Sequence, residues 1–154
     1  YIPIEIINPD ESSAPTTGNR GLNPYVQFAK FQIQSAYFSF QVPADWAGGD
    51  ITLQFWYTMT TSNIGDIKIN FDSSVIADNS IVNITAQSST TQTITTPATL
   101  DLVDYIDTTT LKVPSANISA GRLVNCKFYR DSTAGADTHI GDLRLLNIRL
   151  KYAT

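Results

Sequence analysis

The chain carries a single histidine, His139, in the stretch GADTHIGD. A Ser-His-Asp hydrolase needs that imidazole beside a serine raised on a strained turn, and no G-x-S-x-G elbow is present. One histidine and one cysteine also exclude a multi-histidine or cysteine-rich zinc site, so His139 reads as a loop residue. The only glutamates, Glu5 and Glu11, lie near the N-terminus, so a glycosidase pair would have to be drawn from aspartates. Aspartates do crowd the turns: Asp45 and Asp50 flank Gly48-Gly49, Asp72 and Asp78 bracket a loop, and Asp131, Asp137 and Asp142 precede the last strand. Clustered carboxylates suit calcium, but they also fasten turns by accepting backbone N–H bonds, and no D-x-[DN]-x-[DN]-G loop occurs. Turn-making is the expected role. No catalytic residue, cofactor site or metal ligand is assigned.

Three further residue types invite a partner. Arg130 closes an apolar strand, and its planar fork can clasp a carboxylate bidentately, Asp137 being the nearest candidate. That pair is expected to brace a loop. Cys126 falls in the inward phase of the same strand and reads as a small buried hydrophobe. Trp56 falls in the polar phase of its strand, with Thr52, Gln54 and Thr58, where an indole suits a stacked sugar ring or a neighbouring subunit. The alternative is that the chain's own segment YIPIEII covers that face. Trp46, in a corner, either caps the end of the fold or projects outward. Together with Tyr57 these tryptophans are the candidate interface or glycan-stacking residues.

The elements that must position these groups are strands. Apolar residues alternate throughout and nowhere recur at helical spacing. DITLQFWYTMT places Ile51, Leu53, Phe55, Tyr57 and Met59 on one face; AYFSFQV does so with Phe38, Phe40 and Val42, GDIKINF with Ile67, Ile69 and Phe71, and RLVNCKFYR with Val124, Cys126 and Phe128. The last run, LRLLNIRLKYAT, predicts Leu146, Ile148, Leu150 and Tyr152 inward with Asn147, Arg149 and Lys151 outward. In YVQFAKFQI the period slips between Phe28 and Phe31, predicting a bulge or bend. The Thr-rich middle offers candidate strands near 81–86, 91–96 and 105–113. VPADWAGGD is a corner: Pro43 cannot feed a ladder, and Gly48 and Gly49 tolerate positive φ. About eight short strands separated by turns predict an all-β, antiparallel two-sheet sandwich of jelly-roll type over residues 25–154, preceded by an irregular N-terminal arm over 1–24.

Composition sets bounds on partners. At 154 residues the chain is one domain in size, with 42% hydrophobic and 16% charged residues. A formal charge of -4 argues against a phosphate-backbone binder, so nucleic acid is not an expected partner. One cysteine allows no intrachain disulfide. No run approaches the ~20 apolar residues of a membrane helix, and no membrane insertion is expected. The start at Tyr1 and the lack of a signal-peptide pattern predict a processed chain or the C-terminal part of a longer one.

The segments VPADWAGGDITLQFWYT and ISAGRLVNCKFYRDSTAGADTHIGDLRLLNIRLKY resemble a recurrent β-domain of tailed-bacteriophage virion proteins. The matching positions are Val42, Pro43, Gly48, Gly49, Ala120, Gly121, Leu123, Arg130, Asp131, Asp137, Thr138, Leu145, Leu146, Ile148, Leu150 and Tyr152, about half the chain and mostly turn and core residues. The resemblance implies a non-enzymatic head fibre, capsid decoration or tail appendage at the virion surface, a homotrimer contacting other virion proteins and, in some roles, a host-surface glycan. The alternative reading is a carbohydrate-binding module, free or fused to a glycan-active enzyme, with Trp46, Trp56 or Tyr57 as the stacking platform. A hydrolase on a sandwich scaffold ranks third.

Overall fold

The computed structural model describes residues 1–3, 8–9, 12–76 and 85–154. Glu5, Glu11, Asp78 and most of the candidate strand at 81–86 lie outside the described residues. In chain order the strands are β1 (Ile2–Pro3), β2 (Asn8–Pro9), β3 (Thr16–Arg20), β4 (Asn23–Phe28), β5 (Ser35–Gln41), β6 (Ile51–Met59), β7 (Asp66–Ile76), β8 (Ser88–Thr95), β9 (Asp104–Val113), β10 (Leu123–Arg130) and β11 (Leu143–Lys151). A short 3-10 turn, Ser115–Asn117, precedes β10.

The strands form two antiparallel sheets. Sheet A runs β3-β4-β11-β6-β9, with β1 also paired to β11, and sheet B runs β2-β5-β10-β7-β8. From β4 onward the chain crosses between sheets at every step except the β7–β8 hairpin, the interleaving of a jelly roll. This bears out the all-β, two-sheet sandwich expected from alternation.

The core lies where the two inward phases meet. Ile51, Leu53, Phe55, Tyr57 and Met59 of β6 are buried opposite Phe38, Phe40, Ile67, Ile69, Phe71, Val124, Cys126 and Phe128 of sheet B. Phe128 packs edge-on against both Phe28 and Phe55, with ring centroids 5.5 Å apart in each pair. Each such side chain contributes on the order of 1.5–3 kcal/mol by area removed from water.

One local expectation is refined and two are corrected: the bend expected between Phe28 and Phe31 is present, as a turn between sheets. The slip between Phe28 and Phe31 is a change of sheet: β4 ends at Phe28, buried in sheet A, and the chain turns before β5 enters sheet B, leaving Phe31 86% exposed. In β11 the pairing with β6 skips from Leu145 to Asn147, so Leu146 is the extra residue of a β-bulge. Leu143 and Leu145 therefore point inward before the bulge and Ile148 and Leu150 after it, while Leu146 and Tyr152 are only half-buried. Finally, the described residues of the span 1–24 include paired strands. Ile2 pairs with Leu150, Asn8 with Tyr37, and Thr16–Arg20 forms a hairpin with β4. TTGNR is an edge strand held by its backbone, with little buried on either face, so no apolar alternation announces it.

Candidate functional site

Two groups of side chains stand out, and they differ in kind. The first is a buried brace. Arg130 continues the inward phase of β10 past Phe128, so its guanidinium enters the fold where β10 ends. Its Nε donates to Asp137 Oδ2 at 2.8 Å and Nη2 to Asp137 Oδ1 at 2.7 Å, the bidentate pair expected from sequence. The remaining donors reach backbone: Nη1 to the carbonyl of Gly141 and Nη2 to that of His139. Lys30 Nζ, from the β4–β5 loop, donates to the same carboxylate at 2.7 Å, and the Lys68 N–H donates to Asp137 Oδ2 at 3.0 Å. Burial alone would raise the Asp137 pKa, but these donors outweigh it and hold the carboxyl below its ordinary value.

His139 is fully buried beside this cluster, its Nδ1 accepting the Gly141 N–H at 2.9 Å. Burial, reinforced by the nearby Arg130 charge, lowers its pKa and keeps the imidazole neutral. Gly65 lies directly against it: a Cβ there would sit 2.9 Å from the His139 Cα. The histidine thus fills space in a loop junction, as a loop residue would. Lys30 is the member of the cluster that sequence reasoning missed.

The second group lies on the outer face of sheet A. Trp56 on β6 is directly paired with Tyr105 on β9, and their rings stack with centroids 4.6 Å apart at 29°. On the other side of the indole lies the guanidinium of Arg149, from β11, with its carbon 4.8 Å from the Trp56 centroid and 4.4 Å from that of Tyr1. The result is a row of planar groups, Tyr105, Trp56, Arg149 and Tyr1, crossing the sheet. Arg149 Nε donates to Gln54 Oε1 at 2.6 Å, which fixes the plane of the fork. Asp107 lies alongside, held below its ordinary pKa first by a hydrogen bond from Gln54 and then by Lys151, whose Nζ is 3.3 Å away. Tyr1 and Tyr105 end the row with 64% and 40% of their surface exposed, whereas Trp56 is half-buried between its neighbours. Of the segment YIPIEII, offered above as the alternative cover for this face, Tyr1 lies over Arg149 and is itself 64% exposed.

Of the three residues singled out from sequence, Trp56 is at the centre of this row and the other two are elsewhere. Tyr57 is fully buried in the opposite phase, its hydroxyl donating to Asp104 at 2.9 Å, so it offers no stacking surface. Burial, and then the Asp104 carboxylate, push its pKa up. Trp46 packs against the core at the corner, where Tyr152 donates to Asp45 and the Ala47 N–H meets the Ala153 carbonyl. It caps the sandwich end. Gly48 and Gly49 take φ of 105° and 84° in that corner, the backbone that the tandem glycines predicted. Arg149, Tyr105 and Tyr1 were not flagged in sequence because their contact to Trp56 is made across strands from distant parts of the chain.

The turn aspartates are held by the chain itself. Asp50 accepts from Lys112 Nζ at 2.7 Å and the Ser115 N–H at 2.9 Å, Asp131 from Lys68, and Asp142 from Gln27 and the Lys30 N–H. Among the described residues no three His, Cys, Asp or Glu side chains are grouped to hold a metal ion. Cys126 is buried, and burial raises its thiol pKa. An open groove of about 500 Å3, lined by Thr17, Gly18, Tyr25, Leu145 and Leu146 among others, lies beside β3, β4 and β11. No charged side chain lines it.

No family model matches the chain, and no curated protein does. Solved structures do resemble it. The CBM36-1 domain of a multidomain xylanase from the hindgut metagenome of Trinervitermes trinervoides aligns over 99% of this chain and 96% of its own, with a TM-score of 0.50 and 10% identity. The carbohydrate-binding module TmCBM61, solved in complex with β-1,4-galactotriose, aligns over 96% of this chain and 88% of its own, with a TM-score of 0.45 and 14% identity. At such identity what is shared with the first of these is the fold. The chain is a β-sandwich of the kind seen in carbohydrate-binding modules.

Proposed function

We propose that this chain is a non-catalytic domain that binds carbohydrate on the outer face of sheet A. The observation that carries the reading is the row Tyr105, Trp56, Arg149 and Tyr1, three planar groups on the neighbouring strands β9, β6 and β11 and a fourth just before β1. A pyranose has apolar C–H faces and a rim of hydroxyls. It suits an aromatic surface flanked by fixed donors and acceptors. Tyr105 and Tyr1 supply the exposed aromatic surface, Trp56 backs it, and Arg149, Asp107 and Lys151 stand at its side to meet hydroxyls. The fold likeness to carbohydrate-binding modules supports this second sequence reading over the first.

A glycan array followed by titration calorimetry on the best ligand tests the proposal. Tyr105→Ala and Trp56→Ala are each expected to weaken binding tenfold or more, the ~1.4 kcal/mol or greater loss typical of an aromatic anchor. Trp46→Ala is expected to leave affinity unchanged, because that indole is packed at the sandwich end. Failure of the intact domain to bind any glycan on the array overturns the reading. The larger assembly that carries the domain is a separate proposal: from the resemblance to virion β-domains we propose a phage appendage, a role that a glycan-binding face would suit through host contact. Co-sedimentation with purified particles tests that part.

A further inference from the structure

Strand register sorts the charges of sheet A, because directly paired residues share a face. Arg20, Arg144, Arg149, Lys151 and Lys112 all fall in the outward phase that holds Trp56, and Asp107 is the one carboxylate among the described strand residues of that phase. The outward phase of sheet B is balanced instead, with Lys68 and Lys127 set against Asp66 and Asp72. A chain of formal charge -4 thus concentrates its cations on the face that carries the aromatic row.

Most of that charge is met from within. Asp101 accepts from both Arg20 and Arg144, Asp50 from Lys112, and Asp107 from Lys151. Arg149 differs, making no ion pair with a carboxylate among the described residues. Asp107 lies close enough to feel its charge, but the neutral Gln54 side chain bridges the two, accepting from Arg149 Nε and donating to Asp107. Nη1 and Nη2 of Arg149 meet no acceptor among the described residues, and neither is sealed from water. On the opposite face the comparable cation, Lys127, lies over Tyr129 with the Asp72 carboxylate as its direct cross-strand neighbour.

An arginine laid on aromatic rings with its Nε tied off keeps one edge for a ligand, the two Nη groups side by side. That edge is a fork of parallel N–H donors, and it matches the two oxygens of a carboxylate in both geometry and charge. A sugar hydroxyl satisfies a single donor and leaves the charge unanswered. Tyr105 lies two strands from Arg149, roughly 10 Å across the sheet, a span that neighbouring sugars of one chain bridge.

We infer, resting on the carbohydrate-binding reading above, that the ligand of this face is a glycan bearing a carboxylate, clasped by the Nη edge of Arg149 while an adjoining sugar ring lies on Tyr105. Titration calorimetry on the intact chain tests this with oligosaccharides of galacturonate, glucuronate and alginate and a sialylated oligosaccharide, each beside its carboxyl-reduced counterpart, and with a sulfated neutral oligosaccharide. At least one acid is expected to bind about tenfold more tightly than its reduced form, as a charge-assisted pair does, by a margin that shrinks between roughly 50 and 500 mM salt. Arg149→Gln is expected to bring acid and reduced form within about twofold of each other, and Arg149→Lys to lose most of the margin although the charge is kept. Lys127→Gln, on the other face, is expected to leave the margin unchanged. Acidic and reduced forms bound equally by the wild type overturn the inference and leave carbohydrate binding standing, whereas no binding to these or to neutral glycans overturns both. A margin that survives Arg149→Gln, or a preference for the sulfated oligosaccharide over every carboxylate, also overturns it.

Discussion

The guanidinium of Arg149 lies over two aromatic rings, those of Tyr1 and Trp56, and its in-plane Nε is engaged by Gln54. Lysine could not replace it, because a compact ammonium has no plane to stack and no fork to orient. Arg130 uses the same chemistry for a different end. Four of its five N–H donors are taken up by Asp137 and two loop carbonyls, and the group is fully buried. Asp137→Asn removes the negative charge shared by two buried cations, Arg130 and Lys30. It is expected to destabilise the domain by about 3–5 kcal/mol, as removal of one partner of a buried ion pair does, which denaturant titration will measure. The Arg130–Asp137 half of this cluster was legible in the sequence, since a strand-terminal arginine and a carboxylate seven residues on share one loop. Lys30 was not, because it arrives from 107 residues away. The same holds for the sheet A row: Trp56 betrayed itself by lying in a polar phase, whereas Tyr105 and Arg149 look like ordinary outward residues until β9 and β11 are laid beside β6.

Strands whose inner face is apolar were readable one by one, because a pleated ribbon must send alternate residues to opposite sides. Alternation loses its power where a strand bulges or pairs without burying anything. At β11 the extra residue Leu146 lets both Leu145 before it and Ile148 after it point into the core. Leu145→Ala is therefore expected to cost about 2–5 kcal/mol, the range for emptying a buried leucine site, and Leu146→Ala distinctly less. Comparing the two variants by thermal or urea unfolding checks the bulge directly. A strict two-residue period would give the reverse order. In β3 the evidence of pairing is steric: a Cβ on Gly18 would lie 2.7 Å from the Tyr25 hydroxyl, so this glycine lets the facing tyrosine lie across the strand. Gly18→Ala is expected to lower the melting temperature by displacing that ring, an effect measurable by calorimetry. The sequence offered only a glycine in a polar stretch.

Across the whole molecule, the end of the sandwich that holds the Arg130–Asp137 brace is one place where stability depends on pH. His139 is neutral in the fold with its pKa below the ordinary histidine value of 6.5, so the unfolded chain binds more protons as pH falls through that value. Stability must then decrease with acidification. Asp137, held below the ordinary 3.8, contributes stability that is present above that pH and lost as pH falls through its depressed value. The two act in one direction, and the melting temperature is expected to fall in two stages. His139→Gln is expected to flatten the stage beginning near 6.5 and to leave the stage below 3.8, which a melting series from neutral to acid pH will show. Composition and alternation by themselves determined the fold class: a chain that repeatedly sorts apolar from polar at every second residue can bury its apolar side only by pressing sheets together. They also determined the corner at Gly48-Gly49 and the Arg130–Asp137 pair, because backbone sterics and short-range charge pairing act within a few residues. The tertiary structure alone decided which strands lie side by side. It thereby assembled the row from Tyr105 to Tyr1 and set the cations of β3, β9 and β11 on the same face, since contacts between residues far apart in sequence exist only once the sheets have set their neighbours and register.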